Sequence, residues 1–114
     1  MSAPLSDPVL HILLAVSDRP RHGYGIVQEI EERTGGAVRL GTGTLYTALK
    51  RLRGEGLIEE TADPDEVDTG ERRRRTYRLT RRGETELAEQ VQRLSALVAH
   101  ARQKRALPVP GHAS

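Results

Sequence analysis

The densest chemistry in this 114-residue chain is a run of four arginines, Arg72, Arg73, Arg74 and Arg75, followed closely by Arg78, Arg81 and Arg82. A guanidinium group is a permanent cation with a planar fork of donors, and it matches phosphate oxygens two at a time. Four in a row ahead of a strand-like segment cannot all find partners within one hairpin, which points to a polyanion lying alongside. From Glu59 to Glu71 the pattern is the reverse, with seven acids (Glu59, Glu60, Asp63, Asp65, Glu66, Asp68, Glu71) and no base. The formal net charge of +2 is therefore a local cancellation. A solvated charge run paired with those acids is the plainer alternative. The phosphate assignment is preferred because sixteen of the eighteen basic residues are arginine, the better bidentate ligand. Without the polyanion, the acidic half is expected to fold back on the arginines and weaken nonspecific binding.

A second candidate surface comes from the segment Thr42 to Gly54. Its apolar positions Leu45, Ala48, Leu49 and Leu52 share one face at helical spacing. Rotation by about 100° per residue then places Gly43, Thr44, Thr47, Lys50 and Arg51 opposite, with Tyr46 and Arg53 on a flank. That outer face carries no acid. Threonines at a helix N-terminus, with its free N–H groups, suit phosphates and base edges. Taken alone, the pattern fits an ordinary solvated helix face equally well.

Other chemistries find no support. There is no cysteine, so disulfides, thiolate metal sites and thiol nucleophiles are excluded. No two of His11, His22, His100 and His112 lie three or four residues apart, and His11 and His22 read as surface or cap residues. Counted from Asp63 as a calcium loop, position five is Val67 and position six is Asp68, where an oxygen ligand and a glycine are required. Ser, His and Asp form no nucleophile motif. Neither an enzyme, a metal site nor a cofactor is expected. The longest apolar run, Ile12 to Val16, is far short of the roughly 20 residues of a membrane span, and no signal peptide is apparent. A cytoplasmic protein without a membrane partner is expected.

The elements that must position these residues can be read from caps and periodicity. Ser6-Asp7-Pro8 opens a helix whose apolar residues, Val9 to Val16, surround it on nearly all sides, which predicts burial. A second helix, about Tyr24 to Arg33, carries Ile26, Val27 and Ile30 on one stripe and stops at Gly35-Gly36. The third runs from a Thr42 cap to Gly54. Strands are predicted over Leu57 to Glu60 and Thr76 to Leu79, joined by a long loop. Thr80 then caps a final helix to about Arg105, whose Leu87, Val91, Leu94, Val98 and Ala101 alternate by four and three. The expected fold is mainly α with a small β-hairpin (α+β): a winged helix-turn-helix plus a long C-terminal dimerisation helix. The winged helix-turn-helix would span residues 1–80, the dimerisation helix 81–106, and a disordered tail 107–114.

Three motifs sharpen this. His22-Gly23-Tyr24-x-Ile26 opens the second helix. Gly43-Thr44-Leu45-Tyr46-x-x-Leu49-x-Arg51-Leu52-x-x-x-Gly56-Leu57-Ile58 runs through the third. Tyr77-x-Leu79-Thr80-x-x-Gly83 closes the hairpin. In order and separation they resemble the PadR family of bacterial transcriptional regulators, over about Val9 to Leu94. The resemblance implies a homodimeric repressor whose third helix enters the major groove of a palindromic operator, with wings on the flanking backbone and the last helix dimerising. It places Tyr46 at the DNA-facing helix, with Thr44 and Lys50 at neighbouring contacts, and assigns Tyr24 a structural role between the second and third helices. The chain resembles the short subfamily with a single dimerising helix, some members of which bind flat aromatic drugs between tryptophans at the dimer centre. This chain has no Trp, so that stacking pair is missing, and any small-molecule effector is unknown.

The expected DNA-binding residues are thus Thr42, Thr44, Tyr46, Thr47, Lys50, Arg51, Arg72, Arg73, Arg74 and Arg75, and the partner is a double-stranded DNA operator. The expected dimer seam is Leu87, Val91, Leu94, Leu97, Val98 and Ala101, completed by the apolar first helix. Unpaired, that stripe would be an exposed apolar patch. Two alternatives share the architecture: a MarR-like regulator, and a winged helix used as a protein-protein interaction module.

Overall fold

The computed structural model describes residues 5–61 and 75–106. Four helices and three short strands follow in the order α1 (Asp7–Ala15), β1 (Arg21–His22), α2 (Gly23–Arg33), α3 (Thr42–Gly54), β2 (Ile58–Thr61), β3 (Thr76–Leu79) and α4 (Arg81–Gln103). The expected tail, 107–114, lies outside the described residues, as do most of the expected acidic segment and Arg72, Arg73 and Arg74.

Aliphatic side chains build the core, as a chain without Phe or Trp requires. Ile12 and Leu13 of α1, Ile26 and Ile30 of α2, Leu49 and Leu52 of α3, and Ile58 of β2 are its largest fully buried members. The i, i+4 and i, i+3 spacing of these positions turns one face of each helix inward. Helix α1 is less enclosed than its composition predicts: Leu14 is exposed and Leu10 half-buried. Those two residues line a groove with Leu87, Val91 and Leu94 of α4, so burial of the whole helix would need a further surface.

The sheet has one more strand than the expected hairpin. Its order is β1-β3-β2, with β3 antiparallel to both neighbours. Arg21 pairs with Tyr77 and His22 with Thr76, and the Thr76 hydroxyl lies 3.2 Å from His22 Nδ1. His22 thus ties the start of the helix-turn-helix to the hairpin. Helix α2 ends as the glycine pair predicts, with Gly35 and Gly36 at φ 61° and 84° and the Gly36 N–H donating to the Glu31 carbonyl at 2.8 Å. The α3 boundary differs by one residue: Gly41 is the N-cap, and Thr42 is the first helical residue rather than the cap. Glycine is an accepted N-cap, and its carbonyl takes the Leu45 N–H at 3.0 Å.

The joint between hairpin and α4 gives the third motif a physical account. The Thr80 hydroxyl accepts the Gly83 N–H at 3.0 Å, capping α4, and donates to the Gly56 carbonyl at 2.6 Å. The Thr80 N–H donates to the Leu57 carbonyl at 3.1 Å. Gly56 sits at φ 76°, where L side chains are strained, and turns the chain from α3 into β2. A Cβ at Gly83 would lie 2.0 Å from the Leu57 carbonyl oxygen. Both glycines and the threonine are needed for the last helix to seat against the start of β2.

Candidate nucleic-acid interface

Helix α3 turns Leu45, Leu49 and Leu52 into the core, and that choice decides what its other side presents. Thr42, Gly43, Thr44, Tyr46, Thr47, Lys50 and Arg51 are all exposed, as the rotation from the core stripe predicts. Ala48 is half-buried at the margin. The helix itself carries no acid, and just beyond its end Glu55 of the C-cap accepts from Arg51 Nε at 2.9 Å. The pair is one helical turn apart and well exposed, so it leaves Arg51 available to stronger anions.

Of the two tyrosines of the helix-turn-helix, Tyr46 keeps an exposed place on α3, whereas Tyr24 does not take the packing role expected for it. Tyr24 is 72% exposed and does not fill the space between α2 and α3. Tyr46 does part of that work: a Cβ added at Gly23 would meet its hydroxyl at 3.0 Å and Leu45 Cδ2 at 3.5 Å. Glycine at the first residue of α2 therefore lets the α3 tyrosine lie across that helix end. Tyr24, the next residue, is exposed to solvent.

At the root of the hairpin, three charged residues from different elements meet. Strand alternation puts Ile58 and Glu60 on one face of β2, and the register sets Glu60 opposite Tyr77 of β3. Glu60 Oε1 accepts from Arg53 Nη1 of α3 at 2.8 Å and from Arg75 Nη1, just ahead of β3, at 3.2 Å. On the opposite face Glu59 pairs with Arg78, its cross-strand neighbour. Tyr77 is buried between these groups, and its hydroxyl pKa is raised by that burial first and by the Glu60 charge second. Arg75 is thus the described member of the arginine run, exposed and linked through Glu60 to α3. Arg72, Arg73 and Arg74, with Asp63, Asp65, Glu66, Asp68 and Glu71, lie outside the described residues.

A separate apolar surface is formed by α1 and α4. Leu87 is buried in the chain's own core, whereas Val91, Leu94, Leu97 and Val98 of α4 are exposed and Ala101 is half-buried. Leu10 and Leu14 of α1 border the same groove as Leu87, Val91 and Leu94. Beside it, the Arg33 guanidinium of α2 donates to the His11 ring nitrogen Nδ1 at 3.0 Å and to the His11 carbonyl at 3.3 Å, so this histidine is engaged within the chain. No group of three or more His, Asp or Glu among the described residues could hold a metal ion. No helix among them is long and apolar enough to cross a membrane.

Comparison with known proteins agrees with this geometry. The family model described as Transcriptional regulator PadR-like family matches residues 9–89. The chain belongs to the PadR-like family. A transcriptional regulator of Mycobacterium tuberculosis is 36% identical over 88 residues, covering 77% of this chain and 76% of the relative. Among solved structures, a PadR family transcription regulator from Clostridium difficile superposes with a TM-score of 0.69 at 27% identity, over 83% of this chain and 94% of that one. A PadR-like transcription factor from Bacteroides fragilis gives 0.71 at 25% identity, over 84% and 87%. Bacillus subtilis PadR in complex with operator DNA shares the fold, with a TM-score of 0.62 at 22% identity, over 96% of this chain and 53% of that one. Members of the PadR-like family are transcriptional regulators, and this chain is one of them rather than an enzyme.

Proposed function

We propose that this PadR-like regulator binds double-stranded DNA sequence-specifically as a homodimer, acting as a repressor on a palindromic operator. The observation that carries the reading is the α3 surface. One helix exposes Thr44, Thr47, Lys50 and Arg51 at its outer side and joins, through Arg53 and Glu60, the hairpin root that bears Arg75. Threonine and lysine reach base edges from a helix in the major groove, while arginines at a wing hold the backbone. A protein of the same fold is known bound to operator DNA, so this architecture can present helix and hairpin to a duplex together. Thr42 and Tyr46 at the start of α3, and Tyr24 at the start of α2, are assigned to phosphates. Arg72, Arg73, Arg74 and Arg75 are assigned to the backbone beside the groove.

The dimer assignment rests on the groove between α1 and α4. Val91, Leu94, Leu97 and Val98 would otherwise leave a continuous apolar stripe in water. A two-fold axis along this groove would set two copies of α3 about one DNA turn apart. The division into a winged helix-turn-helix over 1–80 and a dimerisation helix over 81–106 belongs to the same reading.

Titrating a fluorescent duplex at increasing salt tests the DNA assignment. Binding through several phosphates predicts that log affinity falls linearly with log salt, by about 0.9 per phosphate neutralised. Absence of duplex binding at low salt would instead favour a winged helix that docks on another protein.

A further inference from the structure

We propose that Glu60 stands in for a DNA phosphate in the free protein, occupying Arg53 and Arg75 until the backbone of bound DNA displaces it. The inference rests on the DNA-binding reading above and adds a residue that regulates it.

Glu60 shares a sheet face with the buried Ile58 and stands opposite the buried Tyr77, but it is itself exposed. Two arginines approach it there, one from α3 and one from the start of the returning strand. Both guanidinium groups donate to the same oxygen, Oε1, so one negative charge is divided between two cations and the cluster keeps a net charge of +1. Neither arginine is locked in. Side-chain exposure is 44% for Arg53 and 68% for Arg75, and exposed pairs of this type contribute little to stability. Each guanidinium keeps further donors for a second anion. Arg53 follows Tyr46 and Lys50 on one stripe of α3, at intervals of four and three, so it belongs to the flank of that helix nearest the hairpin. Arg75 ends the arginine run. A phosphate seated between α3 and the hairpin root would meet the two groups that Glu60 now holds. The raised pKa of Tyr77 fits the same arrangement, since the Glu60 charge contributes to it after burial.

The consequence is a higher threshold for occupancy. A carboxylate that must be displaced weakens every duplex by the same factor, which leaves the ratio of operator to nonspecific affinity unchanged but lowers the amount of nonspecific DNA held at a given protein concentration. Glu60→Gln, which preserves shape and removes the charge, should tighten binding of the full chain to an unrelated duplex by roughly two- to fivefold at low salt. It should also steepen the salt dependence by about one to two phosphate equivalents. In a chain already carrying Arg53→Gln and Arg75→Gln, the same change should have no such effect, because the arginines it frees are gone. Unchanged or weaker binding of Glu60→Gln, with an unaltered salt slope, would overturn the proposal and make Glu60 a strut that positions the hairpin. Equal tightening with and without the two arginines would overturn it too, since a general charge effect would then suffice. The wild-type titration separates this from failure of the underlying reading: a wild-type chain that binds no duplex removes both, whereas salt-dependent wild-type binding isolates Glu60.

Discussion

Gly83 shows how much of this architecture rests on single residues. Its Cα faces the Leu57 carbonyl so closely that a Cβ would lie 2.0 Å from the oxygen, and the obstacle is backbone rather than a side chain that can swing away. Gly83→Ala is therefore expected to destabilise the fold by about 3 kcal/mol, the upper end for overpacking, read as a lowered urea midpoint. Gly43→Ala, which meets nothing within 4 Å, should leave the midpoint nearly unchanged or raise it slightly. The sequence motifs marked Gly83 and Thr80 as special, and the structure supplies the reason. Side-chain direction was less legible. Tyr24 and Tyr46 both stand in motifs, yet only the packing of Gly23 against α3 shows which of them lies across the helix end and which projects to water. Glu60 was one acid among seven in sequence. Its place beside Arg53 and Arg75 depends on strand register, which no local pattern specifies.

Among the elements, α4 has the plainest division of labour. Its first turns, with Gly83, Leu87 and Gln90, pack into the chain's own core, and beyond them an apolar stripe continues to Val98 without intrachain cover. A helix of 23 residues is about 34 Å long, more than a core of this size can bury. If the proposed dimer forms along this stripe, replacing Leu94 and Val98 with Glu is expected to give monomer in sedimentation equilibrium, with the winged-helix core still folded. A dimer that survives both charges would contradict the seam. Helices α1 to α4 were legible within a residue or two because long apolar periodicities and caps coincide: the Leu45, Leu49 and Leu52 stripe fixes the rotation of α3, and the Thr80 cap fixes the start of α4. The two-residue β1 was not. Arg21 and His22 carry no alternation, and what makes them a strand is pairing with Thr76 and Tyr77, more than fifty residues downstream.

At the scale of the whole molecule, a net charge of +2 conceals an organised surface. Arginine is set at the hairpin root and on α3, acids sit beside it as partners, and the apolar groove of α1 and α4 lies apart. Such a molecule is expected to bind DNA through charge and to choose its site through a few neutral contacts from α3. Binding to a pool of genomic DNA fragments, followed by sequencing of the retained ones, tests that claim most directly. The account predicts enrichment of fragments that share a two-fold symmetric motif with half-sites about one helical turn apart. It predicts further that Thr47→Ala with Lys50→Ala changes the enriched motif or abolishes enrichment while the salt slope on a random duplex stays nearly the same. Retention of fragments with no common motif, or the same motif after both substitutions, would contradict it.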